Sequence, residues 1–350
     1  MRILYGICGE GFGHSSRAKE IITHLQKQGH KILIITYGQA YPVLKTIAKE
    51  IIKVQGFHLK FKDNKLSIKK TIRNSIKATA KNLSNFNKIQ NKINNFKPRL
   101  CISDMEPLVP IISHWYKLPL ISIDNQHRLT HMKLKVPKKY QYYYKLAKAW
   151  VKICIKKANA FIILSFVKQK PNSKNTYIVS PILRKEILKL KPKIKNYILI
   201  YLTKQNNKLI SMLKTIKEDF IIYGYNINKK ENNLQFKPSG KHFIKDLANC
   251  KAIIASAGFT LISESLYLKK PYFAIPLHGQ FEQTLNTLFL KNSSLGTYSE
   301  SPTKTQIQNF LNSLHKYKAR LKHYKSNPNE AIFTLDKILN ELKNKKSNSN

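Results

Sequence analysis

The chain has 350 residues, 42% of them hydrophobic, and sets 63 Lys and Arg against 18 Asp and Glu, for a formal net charge of +45. That length suits two domains of ordinary size, and that apolar content excludes a disordered chain. No apolar run reaches the ~18–20 residues of a membrane-spanning helix. Cys8, Cys101, Cys154 and Cys250 are scattered without metal-type spacing and read as reduced thiols of a cytosolic protein.

Lys far outnumbers Arg, and Ile, Asn and Tyr are plentiful, the drift that AT-rich codons produce. A reader of nucleic acid leans on Arg for bidentate contacts, so no specific nucleic-acid partner is expected. The charge reads mainly as solvated surface, with adhesion to an anionic membrane surface as its sharper meaning.

"RILYGIC" opens the chain as a strand and not as a signal peptide. A glycine-studded turn carrying Gly11 and Gly13 leads to His14, and "SRAKEIITHLQKQG" follows with helical spacing at Ala18, Ile21, Ile22 and Leu25. "HKILIITYG" is a second buried strand, so the chain begins as a βαβ unit and a parallel sheet is expected. Residues 66–97 are rich in Lys and Asn, with Ile68, Ile72, Ile76 and Leu83 spaced for surface helices. "PRLCISDMEP" and "KLPLISIDNQHRL" are two further strands, each ending in polar residues. Ligands of open α/β sheets bind beyond the carboxyl ends of strands, which nominates Asp104, Glu106, Asn125, Gln126 and His127.

In "YQYYYKLAKAWVKICIKKA", Tyr143, Leu146, Ala147, Trp150, Val151, Cys154 and Ile155 recur at helical spacing, with Lys145, Lys148, Lys152 and Lys156 on another face. This is a core-packed helix with a solvated lysine face or, on the sharper reading, a patch resting on a membrane. "NAFIILSF" closes the first half, and the proline-bearing stretch after it suits a linker. A second α/β series then runs from "NYILIYLT" to "PYFAIP", and the polar "NKKSNSN" reads as a disordered tail.

From Ser256 the chain reads "SAGFTLISESLYLKKPYFAIPLHGQFEQ". A strand ends at Ser256, Gly258 permits a tight turn, and a helix begins near Thr260, whose free N–H groups and dipole suit a diphosphate. Glu264 lies about one turn in, within reach of a ribose. Gln280, Glu282 and Gln283 follow the next strand, where they can grip sugar hydroxyls.

This segment resembles the donor-binding signature of GT-B glycosyltransferases, the superfamily of the plant UDP-sugar transferases and the bacterial lipid-linked GlcNAc transferase. "GEGFGHSSR", "ISDMEP", "ISIDNQHRL" and "AGFTLISESLYLKKP…GQFEQ", in that order, resemble a prokaryotic branch of it, and the likeness covers residues 1 to about 295. The resemblance implies an α/β, GT-B fold of two tandem Rossmann-like doubly wound domains, with the active site in the cleft between them. It places the acceptor-side domain at residues 1–183, a linker at 184–195, the donor domain at 196–340 with its last helix free to return to the first domain, and a disordered tail at 341–350.

Carried over, the resemblance assigns Ser256, Gly258, Phe259 and Thr260 to the donor diphosphate, Glu264 to the ribose, and Gln283 with Gln280 and Glu282 to the sugar. Two departures stand out: the plant pattern has a histidine where Ser256 stands, and "LTKQNN" lacks the usual glycine or serine run, leaving Thr203 and Lys204 as stand-ins. The resemblance also suggests His14 as the base that takes the acceptor proton, oriented by Asp104, although Asp104 also suits a helix N-cap. Glu106, Asn125, Gln126 and His127 then fall on the acceptor side.

The chain has no Asp-x-Asp motif, so a metal-independent reaction with no cofactor beyond a UDP-sugar co-substrate is expected, with inversion. The expected partners are a nucleotide-sugar donor, a glycan or lipid-linked acceptor and an anionic membrane surface, and the expected place is the cytoplasm, peripheral to the membrane. A nucleotide-sugar epimerase of the same fold and a noncatalytic basic binder of nucleic acid or membrane are the alternatives.

Overall fold

The structure, a computed structural model, describes residues 1–56, 61–62, 65–66, 73–74, 78, 81–82, 84–240 and 242–347. The chain divides into two compact units, Met1–Ile182 with Asn327–Asn350, and Leu183–Ser326.

In chain order the strands of the first unit are β1 (Arg2–Ile7), β2 (Lys31–Thr36), β3 (Glu50–Lys53), the short antiparallel pair β4 (Phe61–Lys62) and β5 (Lys65–Leu66), then β6 (Leu100–Asp104), β7 (Leu120–Asp124), β8 (Ala160–Leu164) and β9 (Thr176–Val179). Seven of them form a parallel sheet in the order β3-β2-β1-β6-β7-β8-β9. Its central strands are buried along almost their whole length, which is why they are continuous apolar runs with no polar alternation. Strand order reverses beside β1, and the carboxyl ends of β1, β6 and β7 meet there, in register from Ile7 to Asp104.

The helix Phe12–Lys27 returns the chain from β1 to β2, burying Ala18, Ile21, Ile22 and Leu25, one face at 3.6-residue spacing. Gly29, at a φ of 76°, ends it by letting His30 N–H reach back to the Leu25 carbonyl at 3.0 Å. Ile68, Ile72, Ile76 and Leu83 lie outside the described residues. Beyond them the helix Phe86–Phe96 buries Ile89, Ile93 and Phe96. The helix Gln141–Cys154 is covered on one side by Val151 and Cys154, while Tyr142 is 61% and Ile153 74% exposed.

The second unit contains β10 (Ile198–Tyr201), β11 (Phe220–Tyr223), β12 (Lys229–Glu231), β13 (Leu234–Phe236), β14 (Ala252–Ser256), β15 (Tyr272–Ile275) and β16 (Gly296–Tyr298). They form a sheet in the order β12-β13-β11-β10-β14-β15-β16, parallel except for β12. Ile198, Ile200, Phe220, Ile222, Ile254 and Phe273 form its core, against Ile307 and Phe310 of the helix Lys304–Asn312. Both units are thus doubly wound, Rossmann-like α/β sheets.

Two stretches differ from their reading in the sequence. Residues 184–195 are not a bare linker, because Lys185–Leu188 is a short helix that buries Ile187 in the second unit. Residues 341–347 are not a disordered tail, because the helix Glu330–Ser347 runs through them. That helix joins the first unit by burying Ala331, Leu335, Ile338 and Leu339, a regular apolar face. Glu330 Oε2 accepts from the N–H and hydroxyl of Ser180 at 2.8 and 2.7 Å, and Asp336 bonds His24 Nε2 at 2.9 Å. No helix among the described residues is long and apolar enough to cross a membrane.

Candidate functional site

The turn after β1 is shaped by glycine. A Cβ on Gly9 would lie 2.1 Å from the Tyr37 carbonyl oxygen, and Gly11 has a φ of 74°, which L side chains rarely adopt. The turn delivers His14 and Arg17, three residues apart on one face of the helix Phe12–Lys27, towards the end of β6. There Asp104 is fully buried, and the next residue, Met105, turns the chain at a left-handed φ of 53°.

Asp104 Oδ1 lies 2.8 Å from His14 Nδ1 and accepts from Arg17 Nη2 at 2.6 Å, while Oδ2 accepts from Arg17 Nε at 2.6 Å. Arg17 Nη1 donates to Asn125 Oδ1 at 2.8 Å. Burial alone would raise the Asp104 carboxyl, but Arg17 and His14 outweigh it and hold the group below the usual carboxylate range.

Arg17 Nη2, which only donates, also lies 2.8 Å from His14 Nδ1; the ionised carboxylate only accepts, and in the tautomer with the proton on Nδ1 that nitrogen donates to it. Gln126 supports the same tautomer: its Oε1 accepts from Asn125 N–H at 3.3 Å, which turns its amide N–H towards His14 Nε2 at 3.4 Å. His14 is 8% exposed, and its Nε2 keeps a lone pair behind that long contact. A histidine in this state can take a proton at Nε2 while its new charge is held by Asp104. Arg17, not singled out in the sequence, fixes Asp104 from the other side; its position three residues after His14 was the available signal.

Three acceptor-side expectations are corrected by burial. His127 is 1% exposed; its Nδ1 donates to Asp124 Oδ2 at 2.7 Å and its Nε2 to the Ile155 carbonyl at 3.2 Å. With both nitrogens donating it is an imidazolium locked in the interior. Burial opposes that charge, but Asp124 outweighs it and raises the group above the ordinary histidine range. Asn125, 1% exposed, turns its Oδ1 to Arg17 in the interior. Glu106, 2% exposed, caps the helix Leu108–Trp115, accepting from Leu108 and Val109 N–H at 3.1 and 2.9 Å; burial pushes its carboxyl up to about 7. Gln126 alone of the four is half-buried and beside His14.

In the second unit, β14 ends at Ser256, whose Oγ accepts from Thr203 N–H at 3.0 Å and whose carbonyl accepts from Tyr272 hydroxyl at 2.7 Å. Thr203 is exposed and meets the turn through its backbone. Gly258 caps the helix Phe259–Tyr267 with no side-chain hydrogen bond to its first turn. Its φ of −69° is open to any residue, so a tight turn is not the reason for glycine here. A Cβ would meet nothing within 4 Å, so there is open space beside this glycine at the helix start. Phe259 is buried and Thr260 half-buried at that start.

Glu264, 0% exposed, is gripped by Arg184, whose Nε and Nη2 donate to its two oxygens at 2.6 and 2.5 Å. Gln283, 6% exposed, accepts from Leu277 N–H at 2.9 Å through Oε1 and so shapes the loop before the helix Phe281–Asn292. Gln280 is the N-cap of that helix and Glu282 sits in its first turn, both half-buried. Among the described residues, no three His, Cys, Asp or Glu side chains are grouped to hold a metal ion.

A family model described as glycosyl transferase family 1 matches residues 1–315. A Methanosarcina acetivorans protein described as an uncharacterized glycosyltransferase is 22% identical over 341 residues, 86% of this chain and 87% of its own. In structure, UGT2 of Phytolacca americana, complexed with UDP-2-fluoro-glucose and pterostilbene, aligns with a TM-score of 0.68 at 11% identity, over 97% of this chain and 98% of its own. The spinosyn rhamnosyltransferase SpnG, complexed with thymidine diphosphate, aligns with a TM-score of 0.62 at 11% identity, over 96% and 100%.

Proposed function

The chain belongs to glycosyl transferase family 1 and has the GT-B fold; from that premise we propose that this glycosyltransferase moves a sugar from a UDP-sugar to a hydroxyl of a glycan or lipid-linked acceptor, without a metal and with inversion. The observation that carries the reading is the buried Asp104–His14 pair, with Nδ1 held and Nε2 open at 8% residue exposure.

In the proposed reaction His14 Nε2 takes the proton of the acceptor hydroxyl as its oxygen attacks the anomeric carbon. The bond from that carbon to the phosphate oxygen breaks, and UDP departs with the electron pair. One displacement inverts the centre. Asp104 stabilises the imidazolium that forms, and Arg17 keeps Asp104 ionised in the interior. The second unit binds the donor, with the diphosphate at the helix start before Phe259 and the ribose at Glu264. A nucleoside-diphosphate donor accords with the ligands carried by the two structural neighbours.

We place the protein in the cytoplasm, peripheral at an anionic membrane face. The helix Gln141–Cys154 supports this, since Tyr142 and Ile153 are exposed beside the exposed Lys145 and Lys152.

Isothermal titration of UDP, UDP-GlcNAc, UDP-glucose, GDP-mannose and TDP-sugars into the wild type and Glu264→Ala tests the donor site. Micromolar UDP binding that disappears in the variant supports it. A folded wild type that binds none of them overturns it. Donor consumption that requires an added acceptor then separates transfer from epimerisation.

A further inference from the structure

Arg184 begins the stretch that reads in the sequence as a linker, yet its guanidinium makes a two-point contact with Glu264. The carboxylate side chain is 1% exposed and that of Arg184 27%, so a solute meets Arg184 first. The contact engages Nε and one N–H of Nη2. Three of the five guanidinium N–H groups remain outside it, and each carboxylate oxygen keeps a further acceptor position. Glu264 lies six residues along its helix from Gly258, about 9 Å at the rise of an α-helix, which is one group beyond a diphosphate seated at the helix start.

A hydroxyl both donates and accepts. Two vicinal hydroxyls therefore match a carboxylate and a guanidinium held side by side better than they match a carboxylate alone. Arg184 also has reason to stay. Burial pushes the Glu264 carboxyl above its usual range even with Arg184 attached, so a ligand that displaced the cation would strand a buried charge. Joining the pair avoids that.

We propose that Arg184 is a second ribose-reading residue of the donor site, and that the Arg184–Glu264 pair selects ribonucleoside diphosphates over deoxyribonucleoside diphosphates. Glu264 accepts from the two ribose hydroxyls, and Arg184 donates to their oxygens while holding Glu264 ionised. This rests on the donor-site reading above, and it narrows the donor class to sugars carried on a ribonucleotide.

The test titrates UDP, 2′-deoxy-UDP and 2′,3′-dideoxy-UDP into the full chain, as wild type, Arg184→Met and Arg184→Lys, with folding checked by circular dichroism melts. The wild type is expected to lose about tenfold or more in affinity from UDP to the dideoxy compound, because a site built around hydroxyls rejects the analogue lacking them. Arg184→Met is expected to weaken UDP by roughly tenfold and to shrink that discrimination to within about twofold. Arg184→Lys keeps a charge without the fork and is expected to fall between. Equal weakening of UDP and dideoxy-UDP in the variants would assign Arg184 to the phosphates and overturn the proposal. Wild-type discrimination retained in the variants also overturns it, and Arg184→Lys decides if the Met variant does not fold. A wild type that binds UDP and dideoxy-UDP equally well overturns diol reading while leaving the donor site standing. One that binds no nucleotide overturns the donor site itself.

Discussion

His14 with Asp104 and His127 with Asp124 are both buried pairs of the first unit, joined at 2.8 and 2.7 Å, and both follow the ends of neighbouring strands. Their far nitrogens differ. His127 Nε2 is engaged by the Ile155 carbonyl and the residue is 1% exposed, whereas among the described residues His14 Nε2 has only the long Gln126 contact and the residue is 8% exposed. The cations differ as well: Asp104 is already neutralised by Arg17, while Asp124 has His127 as its counter-charge. A histidine beside an aspartate that another cation satisfies is not needed as its counter-charge. One that is itself the cation is held protonated. The distance between the partners does not separate these cases, but the surroundings of the second ring nitrogen do.

The contrast breaks most visibly in turnover. His14→Gln is expected to lower the transfer rate roughly 10²- to 10⁴-fold, the range for loss of a general base, with little change in melting. His127→Gln is expected to leave the rate per folded molecule within about threefold, since its ring is buried with both nitrogens bonded inside the protein. Both are measured as acceptor-dependent donor consumption, and equal losses would erase the distinction.

Stability should divide the pairs the other way. Removing the His127 charge strands Asp124 and is expected to cost about 3–5 kcal/mol in urea unfolding at neutral pH. The pH dependence has a definite sign. His127 is raised in the folded state, so its stabilisation is whole below the unfolded value of 6.5 and is lost as pH rises through the higher folded value. Asp124 is held low, so its share is lost only as pH falls below the ordinary carboxylate range. The gap between wild type and His127→Gln should therefore narrow in alkali.

Glu106 sharpens the comparison as a buried acid whose carboxyl oxygens accept from the backbone, at the N–H groups of Leu108 and Val109. Its carboxyl moves from 4.5 to about 7, so the folded state holds the proton more tightly. The stability from this group is whole below pH 4.5 and is lost as pH rises through about 7, about 3 kcal/mol in all. In urea unfolding, wild type minus Glu106→Gln should fall by about that amount between pH ~4.5 and ~8. A constant difference would show that Glu106 does not titrate there.

Periodicity carried the fold. The apolar runs of β1, β2, β6 and β7, the helix face from Ala18 to Leu25, and the second α/β series each have one physical reading as buried strand or one-sided helix. For the site, glycines and strand ends marked His14 and Asp104, and the structure brings them together. The same rule nominated Asn125 and His127, because position after a strand looks identical whether a side chain turns outward or into the core. Arg17 and Arg184 had no mark in the sequence: one lies inside a helix and the other in a stretch that looks like a linker, and each matters through a carboxylate 80 or more positions away. The tail misled for a related reason. Its apolar face ends at Leu339, and the polar turns beyond it continue a helix anchored upstream.

The return of Glu330–Ser347 to the first unit also sets an order of events during synthesis. The second unit is a continuous stretch, Leu183–Ser326, and all of it is translated before the final helix is made. The first unit begins earlier but waits for residues that follow the second, since Glu330 and Asp336 bond Ser180 and His24 across 150 and 312 positions. Of the two units, the one begun earlier is therefore completed later, after the other has been translated within it.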